Sequence, residues 1–69
     1  MNDKYYLLVN VRKRRKELGL TQQQLSDKIG ISQNSISSIE TGQYKPTAYT
    51  AALLCKALEC SFEDLFQLW

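Results

Sequence analysis

The chain has 69 residues, with nine Lys or Arg, seven Asp or Glu and a net charge of +2 near pH 7. This length allows one domain, residues 1–69, and no second function on a separate module. It contains no His, and Cys55 and Cys60 form neither a CxxC pair nor a set of metal ligands, so we expect no metal and no cofactor. We expect both cysteines to be small buried side chains in a reducing cytoplasm, with a redox switch as the alternative.

The first predicted element is a helix over residues 5–18. Its apolar positions fall at spacings that line one helical face, namely Leu7 or Leu8, Val11 and Leu18. Asn2 or Asp3 can cap its start, and Gly19 ends it. Five basic residues occupy positions 12–16, and they form either a solvated face or part of a field that attracts phosphates. The apolar run at its start is too short to cross a membrane, and no signal peptide is evident, so we expect a cytoplasmic protein with no membrane partner.

Residues 22–41 predict two short helices joined by a tight turn at Gly30. Thr21 and Gln24 have the spacing of a capping box at the start of the first of these helices. Gly30 can adopt the positive φ that ends it, and Ser32 can cap the second. The apolar side chains of each helix fall on one inward face: Leu25 and Ile29 on the first, and Ile36 and Ile39 on the second.

The outward face of that second helix carries four uncharged polar residues: Gln33, Asn34, Ser37 and Ser38. A solvated helix usually exposes Lys and Glu, which are better helix formers. Amides and hydroxyls have donors and acceptors that suit base edges, and Gln or Asn can bond adenine twice. We therefore predict that these four residues read bases in a DNA major groove, with a polar helix of a small bundle as the alternative.

Residues 22–41 resemble the helix-turn-helix of the Cro/repressor type, as in lambdoid phage repressors and the xenobiotic-response-element-type regulators of bacteria. The resemblance extends from about Val11 to Phe66 and rests on these positions: Gln22, Leu25, Ser26, Ile29, Gly30, Ile31, Ile36, Ile39 and the sequence Glu40-Thr41-Gly42. It implies an all-α, lambda-repressor-like domain of five helices, with the helix-turn-helix as helices 2 and 3. At Ser26 the family mostly has Ala, and we expect the Ser hydroxyl to bond a carbonyl one turn back.

Arg15 lies on the same helical face as Val11 and Leu18, so it should point into the domain. In similar repressors an Arg at this position pairs with the Glu near the end of the recognition helix, here Glu40. A partly buried pair of this kind would orient the two helices, and loss of one partner would leave the other charge uncompensated. The alternative is a surface Arg with no fixed partner.

Phosphate contacts would place the domain on DNA. Amide hydrogens at the start of helix 2 point outward with the positive end of the helix dipole, which suits a phosphate at Thr21, Gln22 and Gln23. The sequence Tyr44-Lys45-Pro46 resembles the Tyr-x-Pro loop of some of these regulators, where it lies along the DNA backbone. The resemblance implies further contacts from Thr41, Gln43, Tyr44 and Lys45, whereas packing against the loop is the alternative role of Tyr44.

Two more helices complete the predicted fold. The fourth spans residues 47–58, and its inward positions are Ala51, Leu54, Cys55 and Leu58. The fifth is short, spans residues 62–67 and follows a cap formed by Ser61 and Asp64. Between them, Glu59 stands where the family usually has Gly or Asn. It must either take a strained left-handed conformation or end the helix differently.

The C-terminal segment, residues 62–69, is very apolar for its size. Four residues present more apolar surface than one short helix can turn inward: Leu65, Phe66, Leu68 and Trp69. An exposed patch of this kind marks a partner surface, and a two-fold homodimer is the simplest partner. Similar repressors likewise make their dimer contact through the last helix and the residues after it. The alternative is that Trp69 folds back over the core of its own chain.

These features predict a transcriptional repressor that binds double-stranded DNA sequence-specifically, as a homodimer on a near-palindromic operator. The alternative is the antitoxin of a toxin–antitoxin pair, a protein-binding module that also regulates its own gene. The lack of His, of paired carboxylates in a plausible cleft and of a glycine-rich phosphate loop argues against an enzyme.

Overall fold

The structure, a computed structural model, describes residues 5–69. Five helices and two short strands follow one another along the chain: β1 Leu7–Val9, α1 Val11–Glu17, α2 Gln22–Ile29, α3 Gln33–Glu40, α4 Ala48–Leu58, α5 Phe62–Leu65 and β2 Phe66–Leu68. The five predicted helices are therefore all present. The proposed cap of the first helix at Asn2 or Asp3 lies outside the described residues.

One hydrophobic core holds the five helices together. Each helix contributes at least one side chain that is completely buried, in the order Val11, Leu25, Ile36, Ile39, Leu54, Leu58 and Leu65. Ala51, Ala57 and Phe66 complete this cluster. Burial of a side chain the size of Leu or Ile stabilises a fold by about 1.5–3 kcal/mol, so the core fixes how α2 and α3 are oriented.

The prediction of a helix over residues 5–18 is wrong for its first part. Leu7–Val9 is a strand that pairs antiparallel with Phe66–Leu68, so that Leu7 lies opposite Leu68 and Val9 lies opposite Phe66. The predicted fifth helix is likewise too long, because Phe66 is extended with φ −133° and ψ 117°. The two strands form a ribbon, and each owes its conformation to a partner at the other end of the chain. No local spacing in either segment contains that information.

The helix ends follow the predicted capping chemistry. Capping boxes are present at Thr21 with Gln24 and at Ser61 with Asp64. Gly30 ends α2 in the left-handed conformation with φ 73°. Glu59 ends α4 in the same conformation with φ 55°, so the strained alternative is the one that the chain adopts. For a residue with a Cβ this costs about 1–2 kcal/mol relative to Gly.

Candidate nucleic-acid interface

The recognition helix α3 begins at a cap and is anchored by its apolar side. The Ser32 hydroxyl accepts a hydrogen bond from the amide of Ser35, and Ile36 and Ile39 are completely buried. This orientation leaves Gln33 and Asn34 exposed at the start of the helix. The other two predicted base-reading residues, Ser37 and Ser38, lie one turn further on and are half-buried. The structure thus brings the four predicted base readers to the outer side of α3.

Two surface grooves flank this face. The first, which we call the α1-side groove, brings residues of α1 and α2 next to Gln33 and Ser37. Its polar lining is Arg12, Arg15, Lys16, Thr21, Gln22, Gln23, Gln33, Ser37, Glu40 and Thr41. The predicted phosphate-binding start of α2 therefore lies beside the predicted base readers.

The α1-side groove also divides the basic run at positions 12–16. Arg12 and Lys16 line the groove and are exposed, whereas Arg15 also reaches it but is buried. Lys13 and Arg14 line a different hollow together with Glu59 and Asp64. Arg12 and Lys16 were not among the predicted phosphate contacts. The sequence did contain a signal for them. Arg12 follows Val11 and Lys16 follows Arg15, so the two basic residues, spaced i, i+4, lie on one side of the helix next to its inward face.

The second groove, the loop-side groove, lies on the other side of α3. Asn34 and Ser38 line it together with Tyr44 from the loop after the helix. The loop is held in place because the amides of Gln43 and Tyr44 both donate to the carbonyl of Ser38, at 3.0 and 3.2 Å. Tyr44 is 47% exposed, so it lies beside the outer face of α3 and is not buried in the core.

A buried ion pair connects α1 to the end of α3. Arg15 Nε donates to Glu40 Oε2 at 2.7 Å and Nη2 donates to Oε1 at 3.3 Å, while Nη1 donates to the carbonyl of Leu20 at 2.7 Å. The side chains of Arg15 and Glu40 are 8% and 2% exposed. Both charges are thus desolvated and hydrogen-bonded, which is the condition under which a buried pair is tolerated.

Gln22 extends this network toward the outer side of α3. Its side-chain amide nitrogen donates to Glu40 Oε1 at 2.9 Å, and its side-chain oxygen lies 3.5 Å from Gln33 Nε2. The Gln22 side chain is therefore bonded to Glu40, whereas the predicted phosphate contact at this position rests on the backbone amide. Its backbone amide at the start of α2 remains the group that can face a phosphate.

The remaining predicted phosphate contacts are exposed, and the side chains of three of them also make internal hydrogen bonds. Thr21 Oγ1 accepts from the amide of Gln24 at 3.0 Å. Gln23 Nε2 donates to Asp27 Oδ1 at 2.9 Å. The Thr41 hydroxyl donates to the carbonyls of Ser37 and Ser38, which leaves only its acceptor lone pairs free for another donor. Lys45 is exposed in the loop after α3, as is Gln43.

The partner of Ser26 differs from the predicted one. Its hydroxyl donates to the carbonyl of Ile31, five residues further along the chain, and not to a carbonyl one turn back. The turn at Gly30 reverses the chain and brings the Ile31 carbonyl over α2. Ser26 therefore bonds α2 to the residue just before α3, which fixes the turn between the two helices.

The C-terminal residues divide into two groups. Leu65 and Phe66 are 0% and 3% exposed and belong to the core of the single chain, so the prediction that they form a dimer interface is wrong. The reason is the ribbon, which places Phe66 opposite Val9 and turns it inward. Leu68 and Trp69 are 68% and 60% exposed, and an exposed Trp69 does not support the alternative that it covers its own core.

The ribbon adds two residues that sequence reasoning missed. Tyr6 and Trp69 exchange two backbone hydrogen bonds of 2.9 Å, so they lie opposite one another at the open end of the ribbon. Leu7 and Val9 pack against the core, and the alternation of a strand places Tyr6 and Leu8 on the opposite face. Both are exposed, at 64% and 37%.

These features define a helix-turn-helix DNA-binding domain. Helix α3 presents uncharged amides and hydroxyls between two grooves, α2 is capped at its start, and a buried ion pair connects α1 to the end of α3. A helix-turn-helix family model matches residues 11–65, and the chain belongs to this family. The resemblance drawn from the sequence and the five-helix fold are both confirmed. The chain is a DNA-binding transcriptional regulator, a class that is not enzymatic.

Relatives with similar sequences are named regulators and repressors. An uncharacterized HTH-type transcriptional regulator of Methanothermobacter thermautotrophicus is 39% identical over 59 residues, which cover 84% of this chain and 86% of that protein. The cryptic phage CTXphi transcriptional repressor RstR of Vibrio cholerae is 38% identical over 55 residues, which cover 80% of this chain and 49% of the repressor.

Solved structures show the same fold. The P22 c2 repressor, crystallised in complex with a synthetic operator, has a TM-score of 0.74 and 35% identity, over 78% of this chain and 82% of that chain. The transcriptional regulator VanUg has a TM-score of 0.77 over 94% of this chain and 87% of its own. At 15% identity, that likeness shows the fold alone.

Within residues 5–69, no helix is both long and apolar enough to cross a membrane. The same part of the chain contains no group of three or more Cys, Asp or Glu side chains placed to hold a metal ion.

Proposed function

We propose that the protein is a cytoplasmic repressor that binds a near-palindromic operator as a homodimer. The observation that carries this proposal is the outward face of α3. Its four base-reading candidates, Gln33, Asn34, Ser37 and Ser38, carry no charge and lie between two grooves. Arg12 and Lys16 line the first groove and Tyr44 lines the second, and these side chains suit the DNA backbone. A helix that enters a major groove needs this combination, because base contacts specify a sequence and phosphate contacts set the register.

The phosphate contacts that we propose fall on both sides of α3. On the α1 side they are Thr21, Gln23, Thr41 and the backbone amide of Gln22, with Arg12 and Lys16 added by the structure. On the loop side they are Gln43, Tyr44 and Lys45. The two sets flank the base-reading face, so they would follow the two backbones that border one major groove.

The dimer contact that we propose is the exposed part of the ribbon. Trp69 remains from the original prediction, and Tyr6 and Leu8 take the place of Leu65 and Phe66, because the pairing puts these three side chains on one face. Leu68 lies opposite Leu7, so it is exposed on the other face. The proposed surface carries no charged side chain, so two copies can meet on it without repulsion between like charges. Burial of large aromatic side chains is the commonest source of affinity in such contacts.

The ribbon adjoins the loop after α3. Tyr5, Tyr6, Leu7 and Leu68 line one hollow together with Thr41, Gly42 and Lys45. A two-fold axis through the ribbon would therefore lie near the end of the recognition helix. Two recognition helices related in this way reach successive major grooves, about 34 Å apart, which requires inverted half-sites in the operator.

The repressor role is supported by similar proteins. RstR is named a transcriptional repressor, and the P22 c2 repressor was crystallised with an operator. A dimer bound over a promoter would block access of the polymerase. No observation in the structure favours the antitoxin alternative, and none of the relatives reported above is named an antitoxin.

Selection of bound sequences from a random duplex library tests the proposal. We expect enriched sequences with two inverted half-sites whose centres lie about 10 base pairs apart. A reporter gene placed behind such a sequence should be expressed less when the protein is present. Enrichment of single half-sites would contradict the dimer, and no enrichment at all would contradict sequence-specific binding.

A further inference from the structure

The corner between α4 and α5 has a backbone geometry that places its two cysteines together. The amide of Cys60 donates to the carbonyl of Cys55 at 3.2 Å, and the amide of Glu59 donates to the carbonyl of Lys56 at 3.4 Å. Between them Glu59 is left-handed, with φ 55° and ψ 48°. These two nested hydrogen bonds around a left-handed residue form a Schellman motif.

Cys55 and Cys60 occupy the two positions of this motif whose side chains usually contact one another. Both are half-buried free thiols that pack against the core, and both line one surface hollow beside Phe62. The outer hydrogen bond joins the backbones of the two cysteines directly, and a disulfide needs backbones that lie close together. None of the residues that line this hollow lines either groove of the DNA-binding face.

We propose that Cys55 and Cys60 are a peroxide-oxidisable pair that closes to a disulfide within one chain. The thiolate of one cysteine attacks one oxygen of hydrogen peroxide, the O–O bond breaks, and the released hydroxide is protonated to water. The thiolate of the other cysteine then attacks the sulfenic sulfur and displaces hydroxide, which is protonated to a second water. Two thiols and one peroxide thus give one disulfide and two waters.

The guanidinium of Arg14 lies beside Cys60, since it donates to the carbonyls of Leu58 and Glu59 at 2.9 and 3.5 Å, directly before Cys60. Burial is the main cause that raises the pKa of the Cys60 thiol; the neighbouring Cys55 and Asp64 raise it further, and Arg14 lowers it. Burial and then Asp64 raise the pKa of the Cys55 thiol. Either thiol can therefore attack the peroxide, and the other one resolves the sulfenic acid.

The rate of closure should rise with pH. Burial is the main cause that raises the pKa of both thiols, so at neutral pH only a small fraction of either is thiolate. Below the pKa the thiolate fraction grows about tenfold per pH unit, and the rate should follow it. Closure is therefore slow at pH 7 and faster at pH 8.

The disulfide should stabilise the folded chain. It closes a short loop and removes conformations from the unfolded chain, and it holds Glu59 in its left-handed conformation. For a domain of this size we expect the melting temperature to rise by about 5–10 °C.

The experiment treats the full chain with one equivalent of hydrogen peroxide at pH 7 and pH 8. We expect both free thiols to disappear, the mass to fall by two hydrogens, and the melting temperature to rise and then return on addition of dithiothreitol. Cys55→Ser and Cys60→Ser are matched controls, since each keeps one thiol. In Cys55→Ser we expect a sulfenic acid at Cys60 that dimedone traps, and no change of melting temperature that dithiothreitol reverses.

Three results would overturn the proposal: thiols that persist at pH 8 on prolonged treatment, a disulfide that joins two chains on a non-reducing gel, or a melting temperature that does not rise once the thiols have disappeared. A circular-dichroism spectrum of each variant establishes that it is folded before treatment. Because the readouts are thiol content, mass and melting temperature, they do not depend on DNA binding or on dimerisation.

Discussion

The outer face of α3 and the outer face of the ribbon expose opposite chemistry. The helix presents amides and hydroxyls, and its far end is fixed by Glu40, which is bonded to Arg15 and Gln22. The ribbon presents Trp69 and two other large apolar side chains, and it has only two strands. A face built for DNA needs rigid polar groups, whereas an apolar face on a two-stranded ribbon gains stability when a partner covers it.

Substitution of the buried ion pair between Arg15 and Glu40 tests what holds α3 in place. Arg15→Met or Glu40→Leu alone should lower the free energy of unfolding by about 3–5 kcal/mol, because each leaves a buried charge uncompensated. The double variant should lose less than either single one. Urea denaturation of the three variants measures this.

The exposed pair Arg14–Glu17 supplies the matched control for that series. Its side chains are 32% and 49% exposed, so Glu17→Gln should cost less than about 1 kcal/mol. If the effects of Arg15→Met and Glu40→Leu simply add in the double variant, the two side chains do not stabilise the fold as a pair.

The ribbon side can be broken by removing its aromatic surface. Trp69→Ala should weaken dimerisation by about 2 kcal/mol or more, since a central aromatic side chain is a typical hot spot. Substitution tests the surface better than truncation, because the backbone of Trp69 also bonds Tyr6. Sedimentation equilibrium without DNA measures the change.

Tyr49→Ala is the control for Trp69→Ala, because Tyr49 is a 72% exposed aromatic residue on α4, outside the ribbon. It should leave the association unchanged. A wild-type chain that sediments as a monomer at high micromolar concentration would remove the ribbon from the dimer contact.

A smaller effect is expected for the proposed phosphate contacts on either side of α3, and the salt dependence of DNA binding measures it. Lys45→Ala should weaken binding to every DNA sequence and make the slope of log K against log salt shallower by about 0.9, the value for one phosphate contact. Arg12→Ala should behave in the same way. Lys56→Ala, an exposed lysine on α4, should leave the slope unchanged, and an unchanged slope for Lys45→Ala would show that Lys45 contacts no phosphate.

The two sides also differ in how far the sequence predicts them. The helix-turn-helix is encoded by short-range signals, namely the Thr21 capping box, Gly30 and the spacing of Ile36 and Ile39, and all of these appear in the structure. The run from Tyr5 to Val9 fits a helical face and a strand equally well. Only a pairing partner at the far end of the chain decides between them.

Side-chain hydrogen bonds were predicted less well than the helix-turn-helix and better than the ribbon. The pairing of Arg15 with Glu40 followed from an inward position and a family resemblance. The engagement of Gln22 by Glu40 did not, because it depends on how closely α2 approaches α3. The predicted partner of Ser26 was wrong because it also depends on tertiary structure. The turn after α2, and not α2 itself, brings the Ile31 carbonyl within reach of the Ser26 hydroxyl.

The measurement that tests the central claim most directly repeats the library selection with Asn34→Ala. Asn34 is exposed at the start of α3, beside Tyr44. We expect the variant to lose the base preference at one position in each half-site, at a cost of about 1–3 kcal/mol on the wild-type operator, with non-specific affinity unchanged. Recovery of the same operator, with the same preference at every position, would contradict base reading by this face of α3.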